Sequence, residues 1–111
     1  MTARLCVDGR DVAAVEVADT ARSRRIGLLG RDGLDGALWL APAKQVHSFR
    51  MRFDLDVAFV DKDGRVLHVQ NLVRGRMTRF VWRAHAVIEA EMGAFPQWGL
   101  GTNAVLTIVS G

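Results

Sequence analysis

Hydrophobic and polar positions alternate along much of this chain with the period of two that marks a strand covered on one face and wet on the other. The alternation is clearest in residues 46–53, where His47, Phe49, Met51 and Phe53 fall on one side and Ser48, Arg50 and Arg52 on the other. Residues 55–60 are then almost wholly apolar, as expected of a strand covered on both faces. Asp61, Lys62, Asp63 and Gly64 supply a turn, so the pattern predicts a β-hairpin that returns through residues 65–69. The rest of the chain is organised around this framework.

Upstream, residues 3–7 and 12–18 form two β-prone runs punctuated by Asp8 and Gly9, the signature of a second hairpin. Asp19 or Thr20 can cap a short helix reaching Leu29, with Ile26 and Leu29 one turn apart and Gly30 as its stop. Its exposed face would carry Arg22, Ser23 and Arg25. Residues 31–36 read as a turn and 37–41 as a short apolar strand ending at Pro42. Downstream, residues 72–79 lack any period and read as a loop. Residues 84–92 alternate again, placing Ala86, Ile88, Ala90 and Met92 on one face and Val87, Glu89 and Glu91 on the other. A helix is the alternative there, because Ala, Glu and Met favour it. Residues 93–101 read as a compact turn or one helical turn, and 104–109 as a final strand. The sum is a mostly-β fold: a compact β-sandwich or barrel-like domain of about eight short strands with one short helix.

Composition adds bounds. A chain of 111 residues is a single domain with one core. Its formal charge of +3 rests on 13 Arg and only 2 Lys. Arginine suits forked partners such as carboxylate and phosphate, but the coding bias of a GC-rich genome produces the same composition. Cys6 is the sole cysteine, which excludes an internal disulfide; between Leu5 and Val7 it reads as a buried thiol. The first residues lack the pattern of a secretory signal, and no apolar run approaches the ~20 residues that span a bilayer. The expectation is a cytoplasmic monomer without membrane contact.

Candidate chemistry is sparse. Gly27, Gly30, Gly33 and Gly36 recur at every third position, but no Lys-Ser/Thr pair follows and no strand precedes them, so they read as a helix stop and turns instead of a phosphate loop. His47, His68 and His85 stand far apart without a partner at ligand spacing, so neither a metal nor a cofactor is expected. Asp56 lies inside an apolar run, where a carboxylate must find a partner or shift its pKa. A buried pair with Arg24, Arg31 or Arg52 would satisfy it. An acid/base pairing of His47 with Asp56 or Glu89 is the catalytic alternative, with Ser48 or Cys6 as nucleophile. In residues 74–83, Arg74, Arg76, Arg79 and Arg83 interleave with Phe80 and Trp82, the combination that nucleic-acid surfaces need. Trp39 and Trp98 read as core or pocket wall.

Several short motifs occur in a specific order. Arg24-x-x-Gly27-Leu28-Leu29-x-Arg31 is followed by Gly36-x-Leu38-Trp39 and by Val46-His47-Ser48-Phe49-x-Met51-Arg52-Phe53-x-Leu55-Asp56-Val57-Ala58-Phe59. Later come Val87-Ile88-Glu89, Gly93 and the turn Gly99-Leu100-Gly101. Together they resemble the bacterial and archaeal family known as domain of unknown function 192, over about residues 15–109. The resemblance implies a compact β-sandwich or barrel-like fold with one short helix, and no activity. The family's recurring polar positions map onto Arg24, Arg31, His47, Asp56 and Glu89. Asp54 stands where the family usually has Pro, and Thr102 where Gly-Asp is usual. With Arg52, these five residues are the candidate binding site; no residue is assigned a catalytic role. The expected function is a non-enzymatic binding or accessory module for a small anionic ligand or a protein partner. A small hydrolase or lyase using His47 and Asp56 is the enzymatic alternative, and an RNA-binding module using residues 74–83 is the third.

Overall fold

The computed structural model describes residues 3–110. The Asp8-Gly9 turn forms as read: both residues take positive φ (50° and 84°), joining β1 (Ala3–Val7) to β2 (Arg10–Ala18) as an antiparallel pair. A short helix α1 (Ala21–Ile26) leads to β3 (Ala37–Leu40), which pairs parallel to β2. The hairpin of β4 (Leu55–Val60) and β5 (Val66–Leu72) follows, then β6 (Ala86–Glu91), the single-turn helix α2 (Ala94–Trp98) and β7 (Leu106–Ser110). All seven strands belong to one sheet in the order β5-β4-β6-β3-β2-β1-β7. The two edge strands then meet at their N-terminal ends. Arg65 bridges Val105, the Val66 N–H donates to the Ala104 carbonyl (2.8 Å), and the Leu106 N–H donates to the Gly64 carbonyl (2.7 Å). The sheet thus curls into the barrel-like form that the strand pattern predicts.

Gly64 sits in this seam at φ +88°, and a Cβ on it would fall 2.5 Å from the Leu106 carbonyl oxygen. Substitution there meets two penalties, a left-handed backbone and a clash with backbone that cannot rotate away. Gly64→Ala is expected to lower the unfolding free energy by at least ~2 kcal/mol, read from the urea midpoint. A loss under a few tenths would mean that the seam opens easily.

Alternation along the central strands divides the core in two. Inside the barrel lie Leu5, Val7, Val15, Ala58, Val60, Ile88, Phe95 and Leu106, with the half-buried Trp39 and Trp98 packed against them. On the outer face of β3, β4 and β6 lie Leu38, Leu40, Leu55, Val57, Phe59 and Val87, covered by Leu28, Leu34 and the long connections. This second layer explains why β4 is buried along its whole length.

Three local expectations are corrected. Residues 46–53 form a loop with one isolated bridge, His47 to Met77, and not a strand, which leaves seven strands among the described residues where about eight were expected, with α2 as a second helix. In that loop the burial runs against the expected face: Ser48 is fully buried, whereas His47 and Phe49 are exposed. The Ser48 hydroxyl donates to the Val73 carbonyl (2.7 Å) and accepts from the Arg76 N–H (3.0 Å), which pins loop 46–53 to loop 73–78. Helix α1 stops at Gly27, not Gly30, so Leu28 is buried while Ile26 and Leu29 stay in solvent. Cys6 faces away from Leu5 and Val7 and is only partly buried, because β1 has just one face inside the barrel.

Candidate functional site

Asp56, the residue that most needed a partner, finds one without arginine. It is 2% exposed and points to the inner side of β4. Asn71 Nδ2 donates to its Oδ1 (2.6 Å), and the N–H groups of Gly93 and Phe95 both donate to its Oδ2 (3.0 Å each). Gly93 has no side chain to cap α2, so Asp56, on the strand beside β6, caps that helix. The expected ion pair is replaced by backbone donors. Arg31 instead pairs with Glu16 (2.7 Å), holding its carboxyl below the usual range, and Arg52 pairs with Asp32 (3.0 Å); both pairs are largely exposed.

The opposite face of the sheet holds the other three candidates. Thr20 caps α1: its hydroxyl accepts from the Ser23 N–H, and the Ser23 hydroxyl accepts from the Thr20 N–H, at 3.0 Å each. This closed first turn sets Arg24 and Arg25 in the last turn, where cations suit the helix dipole. Arg24 Nη1 donates to the carbonyls of Asp19 (3.2 Å) and Ala41 (3.3 Å), which fixes the guanidinium between α1 and the end of β3. Its other N–H groups make no side-chain hydrogen bond among the described residues.

Beneath lies a cavity of about 220 Å³, with Leu28, Leu40, Val46 and Met51 among its walls, Arg24, Arg25 and His47 around it, and Glu89 in its lining. Glu89 stands mid-strand on β6, opposite Leu38 of β3 and Val57 of β4, and is 5% exposed. Among the described residues no donor reaches its carboxyl group. Burial among aliphatic neighbours therefore pushes its pKa up from 4.5 to about 7. His47 stacks on Phe49 (ring centroids 4.9 Å apart), and its Nδ1 accepts from the Phe49 N–H (3.2 Å), which leaves the neutral ring's proton on Nε2.

Of the six sequence-derived candidates, Arg24, His47 and Glu89 share this cavity; Arg31, Arg52 and Asp56 do not line it. Asp56 and His47 lie on opposite sides of the sheet, so no His47/Asp56 acid–base pair forms. Arg25, Gln45 and Met51 join the cavity without having been singled out for it. The Arg24-Arg25 doublet before Gly27 was the available signal for the first. Among the described residues no three His, Cys, Asp or Glu side chains cluster closely enough to hold a metal ion, and no helix is long and apolar enough to cross a membrane.

Comparison with known proteins identifies the family and the fold. The model of the DUF192 family, described as an uncharacterized ACR, matches residues 3–108. Two solved structures share the fold. One is a protein of unknown function from Novosphingobium aromaticivorans, at 19% identity and TM-score 0.79, covering 96% of this chain and 84% of that one. The other, from Sinorhizobium meliloti, is described as a proposed transcription regulator, at 21% identity and TM-score 0.79, covering 96% of this chain and 91% of that one. No curated protein matches the chain.

Proposed function

We propose, for a chain that belongs to the DUF192 family, that it is a non-enzymatic binding module whose cavity over Glu89 takes a small anionic ligand with an apolar body. One observation carries this reading: the carboxyl group of Glu89, a residue only 5% exposed and without a hydrogen-bond partner among the described residues, opens onto a cavity that two arginines flank. Among the described residues no buried side-chain oxygen lacks a partner, so the Glu89 oxygens open to the cavity, where a guest can complete their hydrogen bonds. Below pH 7 Glu89 is protonated and can donate to an oxygen of the guest. Arg24 and Arg25 supply the charge for a carboxylate or phosphate. Leu28, Leu40 and Met51 provide an apolar wall for the remainder.

The test is the shift in melting temperature against a panel of small carboxylates and phosphate monoesters at pH 6 and pH 8. A ligand at ~100 times its Kd contributes about 2.7 kcal/mol of stability, which is several degrees for a domain of this size. The shift is expected to be larger at pH 6, where Glu89 does not oppose the anion. Arg25→Ala, at an exposed position, should weaken binding about tenfold, the loss of one charge-assisted hydrogen bond. Equal shifts for the variant and the wild type, or none with any anion, would remove the proposal.

A further inference from the structure

A second surface lies apart from the cavity and shares only Pro42 with it among the lining residues. Phe80 and Trp82 stand in the irregular segment between β5 and β6, and they are 52% and 77% exposed. Hydrophobic side chains of this size are normally covered, and the two rings lie together, with centroids 5.6 Å apart and planes tilted by 43°. Trp82 is a ridge between two open grooves. One, of about 330 Å³, runs over His68 and Phe80 between Arg79 and Arg83; the other, of about 490 Å³, is flanked by Lys44, Lys62, Asp61 and Asp63.

The ridge is braced from below. Lys44 Nζ donates to the carbonyls of Trp82 (2.8 Å) and Ala84 (2.6 Å), and lies 5.9 Å from the indole centroid. The indole is thus presented by a fixed backbone, which lowers the ordering cost of a contact on it. Charge around it is mostly positive. Arg79 and Arg83 line the first groove, are exposed and form no salt bridge among the described residues, whereas Arg74 is taken by Asp54. Of the acids, Asp61 turns its Oδ1 inward to the N–H groups of Asp63 (2.9 Å) and Arg65 (3.0 Å).

We infer that this ridge binds single-stranded nucleic acid, with unpaired bases stacking on Trp82 and Phe80 and the phosphates meeting Arg79 and Arg83. Exposed flat rings need a flat apolar partner, and the flanking guanidinium groups need an anion; a single strand supplies both at one repeat. An acidic peptide would satisfy the charges and leave the rings in water. A duplex hides its base faces, so it would use the arginines alone.

The experiment is fluorescence anisotropy of a labelled, short mixed-sequence RNA oligonucleotide titrated with the whole protein, repeated with its DNA counterpart and with the annealed duplex. Two phosphate contacts on a single strand predict that affinity falls roughly sevenfold between about 50 and 200 mM salt. Trp82→Ala should cost about tenfold or more in affinity, and Arg79→Ala should reduce the salt slope by about 0.7. Because Trp82 is so exposed, the variant should melt with the wild type, and circular dichroism checks this. RNA tighter than DNA, or the two equal, both fit the stacking surface. Absence of binding near 50 mM salt, duplex bound as tightly as the single strand, or undiminished binding by a folded Trp82→Ala would each overturn the inference.

Discussion

Replacing Asp56 with alanine is expected to lower the unfolding free energy by about 3–5 kcal/mol, the largest single-residue effect outside the hydrophobic core. The carboxylate accepts three hydrogen bonds in a site that water does not reach. Its removal strands the N–H groups of Gly93 and Phe95, each costing about 1–3 kcal/mol once unpaired. Helix α2 is a single turn with no cap of its own, so it loses its only side-chain anchor at that end. Phe95, packed inside the barrel, would loosen with it. Asp56→Asn keeps the volume and one carbonyl acceptor, and should lose about half as much. Urea unfolding of the three proteins decides the matter, and a cost below ~1 kcal/mol for the alanine variant would show that water or a backbone shift replaces the carboxylate.

The second large effect depends on pH. In the folded protein Glu89 keeps its proton up to about pH 7, whereas the unfolded chain releases it near 4.5. Between those values the folded state binds more protons, so stability falls as pH rises. The contribution is fully present below pH 4.5 and is lost through pH 7. Its size is about 3 kcal/mol, from the separation of the two values at 1.36 kcal/mol per unit. Glu89→Gln keeps the shape and cannot ionise. The variant should therefore match the wild type near pH 4.5 and exceed it by about 3 kcal/mol at pH 8, with the difference between the two denaturation curves isolating this group. Parallel curves across the range would mean that Glu89 is ionised and solvated in the folded state. The same substitution should abolish the pH dependence of anion binding while leaving binding itself in place.

Much of the barrel was legible in the chain because its strands announce themselves locally. Asp8-Gly9 marks one hairpin, the apolar run of β4 marks a strand covered twice, and the alternation of Ala86, Ile88 and Ala90 against Val87 and Glu89 places β6 correctly between two cores. Residues 46–53 defeated the same logic. Their alternation has the period of a strand, but whether an extended segment pairs depends on a neighbour, and here the neighbour offers only the single bridge at Met77. Arg50, at φ +62°, breaks the extended path outright. What buries Ser48 is a pair of backbone groups more than twenty residues away, and no side-chain pattern encodes their position.

The site shows the same division. That Asp56 must be satisfied follows from its apolar surroundings, whereas the identity of its partners does not, since every residue but proline carries an N–H. Arginine was the natural guess, but Arg31 and Arg52 proved to be occupied on the surface by Glu16 and Asp32, and Arg24 donates to the carbonyls of Asp19 and Ala41. Glu89 was visible as a carboxyl group in a strand. The cavity it faces was not, because α1 and loop 42–51 form its walls from opposite sides of β3 in the chain.

The strand order has a kinetic side as well. Strand β1 pairs with its neighbour β2 and also with β7, so Ala3 lies beside Ser110 and Val7 beside Leu106. A hairpin of β1 and β2 can form within microseconds, but its second edge must wait for a strand roughly a hundred residues on. Loop closure over that distance is costly before any contact rewards it. Folding on the scale of milliseconds to seconds follows, and until β7 docks the edge of β1 and the apolar face behind it lie open to other chains.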